Sequence, residues 1–296
     1  MKEQFIIKKF TAESQALIGT ANDVIDDYAR QGFSMTLRQI YYQLVQANVI
    51  PNNLRSYKNL GALLNNARLA GHIDWDAMED RTRNEQSLPN WSSPGEFMKD
   101  VPHWFHVDMW ANQRIRPFVR IEKDALVNVI AGVCDKHDVP YFSCRGYASQ
   151  SEQYAAGRKL ADILFYGQIP LVFYFGDHDP SGMDMTRDNQ ERLSMFAGKE
   201  IEVRRLALNF DQVTELRLPP NPVKMTDTRQ YDYVSQYGRG CWELDALRPT
   251  YIANLIESAI EDIKDPDRWA LREEVKAAGA KFVRDTWARG LNATPR

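Results

Sequence analysis

The sequence predicts an α/β protein: a parallel sheet of about four strands flanked by helices, preceded by a smaller helical domain. Three observations predict it. Between residues 116 and 210, strand-like apolar runs alternate with amphipathic helical stretches, the pattern of right-handed crossovers feeding a parallel sheet. One run, IPLVFYFGD (169–177), is apolar almost throughout, as strands buried on both faces are. Residues 1–85 instead show helical periodicity punctuated by Gly32 and Gly71, which reads as short helices with glycine stops.

Taken in order, a first helix is expected over 12–30. A second starts near Thr36, where Gln39 three residues on completes a capping-box pattern. A third covers about 56–70, and a short strand is expected around His72–Trp75. Three helices with a strand suggest a helix-turn-helix or winged-helix unit. Residues 86–115, with Pro89, Pro94, Gly95, Pro102, Trp91 and Trp104, read as a connecting segment pinned by aromatics. Strands follow at 116–122, 139–144, 169–177 and 201–209, with helices at 124–137, 151–167 and 183–196. Residues 211–296 hold a Pro-rich loop (Pro219, Pro220, Pro222) and then two or three helices that pack on the sheet or form a dimer surface.

Composition sets the bounds. The chain has 296 residues, 44% hydrophobic and 26% charged, enough for a sizeable core. No run of about 18 apolar residues is present, so no membrane span is expected. Cys134, Cys144 and Cys241 form no CxxC pair, which fits a reducing cytoplasm rather than a disulfide scaffold. Net charge is −3, yet residues 28–72 contain no Asp or Glu and carry Arg30, Arg38, Arg55, Lys58 and Arg68. That acid-free stretch reads either as a phosphate-binding surface, with Arg55, Lys58 and Arg68 as DNA contacts, or as an ordinary solvated face.

Three acids stand where strands end: Glu122 after the first, Asp177 and Asp179 after the third, within GDHDPSG (176–182). Residues two apart on a strand share a face, so Asp177 and Asp179 point one way and His178 the other. Open α/β sheets bind ligands beyond the carboxyl ends of their strands. Clustered carboxylates repel unless a cation neutralises them, and oxygen-only ligands suit Mg²⁺. Each acid is also a candidate helix cap, an alternative as good as metal binding for Glu122 alone and weaker for the three together.

VRIEKDAL (119–126) and FGDHDPSG (175–182) resemble the two acidic motifs of the Toprim domain. The resemblance implies Mg²⁺-dependent phosphodiester chemistry at Glu122, Asp177 and Asp179, with Mn²⁺ able to substitute. Upstream, LRQIYYQLV (37–45) places Leu37, Ile40, Tyr41, Leu44 and Val45 on one helical stripe. Tyr41 is then core, while Tyr42 falls outside the stripe on the face of Arg38. Arg38, Tyr41 and Tyr42 match the R-x-x-(Y/F)-Y motif that precedes Toprim in the topoisomerase VI A subunit and the meiotic double-strand-break transesterase. The chain resembles the compact, stand-alone Mini-A members of that family over about residues 25–250. RGYAS (145–149) matches a family loop carrying Arg145, with Ala148 where a proline is usual.

The resemblance implies a winged-helix domain over 1–85 and a Toprim domain over 116–210. It implies a tyrosine nucleophile at Tyr42, phosphate stabilisation by Arg38, DNA contacts from Arg145, a double-stranded DNA substrate and a homodimer pairing Tyr42 of one chain with the metal site of the other. A nucleoid-associated cytoplasmic protein is expected. No GxxxxGK[ST] motif occurs, so any ATP-driven cycle requires a separate B-type ATPase subunit. A Toprim hydrolase using metal-activated water, and a non-catalytic DNA-binding assembly factor, remain the alternatives.

Overall fold

The computed structural model describes residues 2–78, 88–223 and 228–293, with side chains to residue 286. Thr11 caps α1 (Ala12–Arg30) through its hydroxyl, and Thr36 with Gln39 closes the capping box of α2 (Leu37–Gln46). Asn53 caps α3 (Leu54–Leu69). The strand expected near His72–Trp75 is absent: two isolated bridges, Gln4–Ala70 and Met35–Met78, are the strand-type pairings there among the described residues. The reason is local. His72 spends its N–H on the Ala67 carbonyl as the helix ends, and Arg68 donates to the carbonyls of Trp75 and Met78. The boundary expected at 85/86 lies outside the described residues.

The segment read as a connector contains a helix, α4 (Pro94–Trp104), with Ser93 as N-cap and proline at its first turn. Those signals were present in the sequence. Trp91 packs on Phe97 edge-on and on Trp104 at a tilt, pinning the chain to this helix, as the aromatic content suggests.

The sheet follows the expected alternation. Its strands are β1 (Ile115–Ile121), β2 (Tyr141–Ser143), β3 (Ile169–Phe175) and β4 (Glu202–Ala207), all parallel in the order β2-β1-β3-β4. Between them run α5 (Val127–Lys136), α6 (Gln150–Phe165) and α7 (Pro180–Ala197). β3 is central and buried along six of its seven residues. Arg120, on β1, lies buried against Gln153 of α6 and Asn189 of α7, whose side-chain oxygens accept from it at 2.8 and 2.6 Å.

Beyond β4 come α8 (Phe210–Glu215), β5 (Asn221–Pro222), α9 (Gln230–Tyr237), β6 (Gly240–Cys241), α10 (Pro249–Glu261) and α11 (Pro266–Ala293), with β5 and β6 antiparallel. α10 buries Ile252, Ile256 and Ile260 as a stripe, packed on α5 and β4. The larger of two apolar clusters joins Ile18, Ile40 and Leu44 of the N-terminal helices to Val119, Phe173 and Ile256 around the sheet; the other packs Leu160, Ile163 and Leu193 of α6 and α7 on Val172 and Tyr174. No helix among the described residues is long and apolar enough to cross a membrane.

Candidate functional site

At the carboxyl edge of the sheet lies a cavity of about 1070 Å³, lined from three sides. The segment after β1 contributes Glu122 and Lys123, and the loop after β3 contributes Asp177 and Asp179; α2 contributes Arg38, Tyr41 and Tyr42; the C-terminal segment contributes Asn221, Trp242, Glu243 and Asp245. Topology brings Glu122 and Lys123 to Asp177 and Asp179, since β1 and β3 are neighbours.

The acidic loop is held rigidly. β3 ends at Phe175, so Asp177 and Asp179 sit on a loop rather than on a continuing strand. His178 does turn away from them, buried among Phe210, Tyr233, Tyr237 and Trp242. Glu122 Oε2 accepts the Asp177 N–H at 2.9 Å. Asp179 caps α7 by accepting the Gly182 N–H at 2.6 Å, so the capping role considered for these acids is real for Asp179 and leaves its other oxygen uncommitted to the cap. A side chain at Gly176 would meet Glu122 Oε2 at 3.0 Å, and one at Gly182 would sit 2.2 Å from the Asp177 carbonyl, so both glycines are required. Arg205 of β4 ties the loop down, donating to the carbonyls of Gly176 (2.8 Å), Asp177 (2.6 Å) and Gly182 (3.0 Å).

Sequence reasoning missed the second half of the constellation. His178 and Trp242 exchange backbone hydrogen bonds of 2.8 and 2.9 Å, which lays residues 243–245 beside the loop. Asp177 Oδ1 then accepts the Leu244 N–H at 2.7 Å. The carboxylates also have a basic partner: Lys123 Nζ lies 2.6 Å from Asp245, 2.9 Å from Asp177 and 3.0 Å from Glu243. The lysine adjoins Glu122 in sequence; the acids of ELDAL (243–247) gave no periodic signal beyond helix packing.

Arg38 lies 6.0 Å from the Tyr42 ring centre, on the face expected. Its guanidinium is held by both oxygens of Glu243 and stands 3.9 Å from Asp245. Tyr42 differs from its expected exposure: it is 3% exposed, no more open than Tyr41 at 4%. The C-terminal segment covers it, and Asn221 Nδ2 donates to its hydroxyl at 2.8 Å; helical periodicity within α2 carries no trace of that cover. Tyr41 donates to Asn52 Oδ1 at 2.9 Å and to the Asn53 carbonyl at 3.2 Å. Of the remaining candidates, Arg55 and Lys58 are exposed on α3. Arg145, with φ of 51°, is exposed at the cavity rim and pairs with Asp124 at 3.2 Å. Arg68, expected to contact DNA, clamps the turn after α3 and stacks on Trp75 at 4.5 Å.

Six carboxylates and three basic side chains line the cavity (Glu122, Asp124, Asp177, Asp179, Glu243 and Asp245 against Arg38, Lys123 and Arg145). The excess of three negative charges has a physical consequence. Burial, with Asp177 alongside, pushes the Glu122 carboxyl up to about 7. Burial likewise raises Asp177, against the opposing pull of Lys123. Glu243 goes the other way despite its burial, held down to about 2 by Lys123 and Arg38. Burial and Glu243 raise the Tyr42 hydroxyl well above the ordinary phenol range. Asp245 is fully buried, with Oδ1 lacking a hydrogen-bond partner.

An oxygen-rich site with raised carboxyls and surplus negative charge fits a hard divalent cation. The oxygens of Glu122, Asp177 and Asp179 do not all stand within 4.8 Å of one another; the Lys123 ammonium sits against Asp177 instead. No family model matches the chain, and no curated protein sequence matches it.

Proposed function

We propose that the chain is a Mg²⁺-dependent DNA transesterase resembling the topoisomerase VI A subunit, with a Toprim-type domain over 116–210 and Tyr42 as nucleophile. The observation that carries the reading is that Tyr42, Arg38 and the carboxylates of Glu122, Asp177 and Asp179 line one cavity. Those three carboxylates would hold Mg²⁺, which supplies charge neutralisation at the phosphate when bound. Tyr42 Oη attacks phosphorus, a 5′-phosphotyrosine forms, and the 3′ oxygen leaves as a hydroxyl. Arg38 moves from Glu243 to the phosphate, where its planar fork suits the oxygens. Glu243, close enough to Tyr42 to influence its ionisation, then faces the phenol that must lose its proton. Exposed Arg55, Lys58 and Arg145 hold the flanking DNA backbone.

In a homodimer the attack takes place across the two chains, which requires the Arg38–Glu243 contact to open; within one chain the nucleophile and carboxylates already share a cavity. Strand passage would draw on a separate B-type ATPase subunit. The burial and strongly held proton of Tyr42 favour one second reading, a hydrolase in which water attacks and Tyr42 is structural.

Supercoiled plasmid incubated with Mg²⁺ or Mn²⁺, resolved with and without protease, separates the two. The transesterase leaves DNA covalently bound to protein, lost in Tyr42→Phe and in Asp177→Asn or Asp179→Asn. Nicked or linear DNA without any adduct means hydrolysis. No divalent-dependent cleavage, with DNA binding retained, refutes both.

A further inference from the structure

A second group of ligands lies on α5 and α10, and none of its members lines the cavity. His137 follows the last turn of α5, and its carbonyl accepts the Trp110 indole N–H at 2.8 Å. Glu257 and Glu261 stand four residues apart on α10, hence on one face. One donor atom from each of the three lies within 4.8 Å of the others; among the described residues no other trio of His, Cys, Asp or Glu does so.

The imidazole adds an independent sign. Its side chain is 5% exposed, and Nε2 has no hydrogen-bond partner although Glu257 Oε2 stands 3.0 Å away. The oxygen is therefore off the ring N–H direction. A His–Glu hydrogen bond places the oxygen along that direction. A cation on the nitrogen lone pair places carboxylates beside it: bonds of about 2.0–2.2 Å in a tetrahedron put neighbouring ligand atoms roughly 3.3 Å apart. Nδ1 lies farther out, 3.8 Å from Glu261 Oε1.

We infer that His137, Glu257 and Glu261 form a Zn²⁺ site that staples the end of α5 to α10. One imidazole with two carboxylates suits a first-row ion such as Zn²⁺ better than Mg²⁺ or Ca²⁺. Lys136 occupies Glu257 Oε1 at 2.7 Å and leaves Oε2 to the ion. Lys264 holds Glu261 Oε1, so the ion takes the other oxygen of that carboxylate or displaces the lysine. A water completes the coordination.

The test uses the full chain carrying Asp177→Asn and Asp179→Asn, so that cavity carboxylates do not compete. After chelation and desalting, Zn²⁺ is titrated calorimetrically and Co²⁺ by its visible absorption. The site predicts saturable one-to-one binding, a raised melting temperature and a tetrahedral Co²⁺ spectrum. Glu257→Gln and Glu261→Gln, both on partly exposed positions, each weaken binding by roughly tenfold or more; His137→Ala abolishes it. No saturation by about 0.1 mM Zn²⁺, a dissociation constant weaker than about −5 kcal/mol of binding, overturns the site. Wild-type affinity retained in both glutamine variants overturns it as well.

Discussion

Replacing Lys123 with Met tests how the cavity balances its charge. The change keeps the aliphatic stem and removes the ammonium that stands 2.6 Å from Asp245, 2.9 Å from Asp177 and 3.0 Å from Glu243. Asp245, fully buried, loses its closest cation. Stripping one partner from a buried pair costs about 3–5 kcal/mol. Arg38, 3.9 Å from Asp245, compensates in part, so about 3 kcal/mol is expected, or a melting temperature lower by roughly 6–12 °C without divalent ions. Mg²⁺ affinity moves the other way. A unit charge about 4 Å from another is worth roughly 4 kcal/mol at an effective dielectric of 20. Allowing half of that for rehydration, Mg²⁺ binds Lys123→Met about thirtyfold more tightly, near 2 kcal/mol. Calorimetric titration of Mg²⁺ against wild type, Lys123→Met and Arg145→Met measures this. Arg145 also lines the cavity, but its side chain is 75% exposed, so its loss changes affinity by less than about threefold. Unchanged Mg²⁺ affinity in a folded Lys123→Met, or an equal rise in Arg145→Met, refutes the idea that Lys123 stands in the cation's place.

Four further outcomes are expected. Tyr41→Phe forfeits hydrogen bonds to Asn52 and Asn53 and lowers stability by about 1 kcal/mol in denaturant unfolding, while the covalent DNA adduct persists; loss of the adduct would mean that the wrong tyrosine has been chosen. Arg68→Ala lowers the melting temperature because it frees the turn clamped through Met78, yet leaves the salt slope of DNA binding unchanged. Arg55→Glu with Lys58→Glu reduces that slope by about 2. In chelator, stability falls as pH rises between about 4.5 and 7. The folded chain keeps the Glu122 proton up to about 7, whereas the unfolded chain releases it near 4.5, so the folded state binds more protons in that window. The loss is about 3 kcal/mol from this group, and Glu122→Gln removes it; a flat or rising wild-type profile contradicts the assignment.

Periodicity made most of the sheet legible. All four strands and the three helices between them fall within a few residues of the positions expected from the sequence, because each strand's apolar run and each helix's stripe report burial in the apolar clusters on the two faces of the sheet. The acids at strand ends were legible for the same reason, since topology alone carries β1 and β3 to one edge. What failed depended on long-range cover. Tyr42 sits off the apolar stripe of α2 but beneath Asn221 and Glu243, and no window on α2 contains those residues. Arg68 read as a free charge in an acid-free stretch, yet its partners are backbone carbonyls, which carry no sequence signature. Glu243 and Asp245 belong to a segment whose only local pattern was helix packing; an apolar run broken by a buried Asp in ELDAL was the one available clue.

The common core beneath the helices and the sheet decides how the cavity could ever widen. Ile40 and Leu44 under one wall pack into the same cluster as Val119 and Ile121 under the other, so swinging those walls apart would expose close-packed apolar surface. The third wall is fastened to the same core. β5 and β6 pair over two residues each, and polar contacts hold Asn221 to Tyr42, Glu243 to Arg38 and Trp242 to His178. Beneath those contacts Trp242 and Leu244 are buried in the cluster that holds Ile40 and Val119. All three walls therefore share one foundation, and loosening any of them would expose apolar surface as well as break hydrogen bonds.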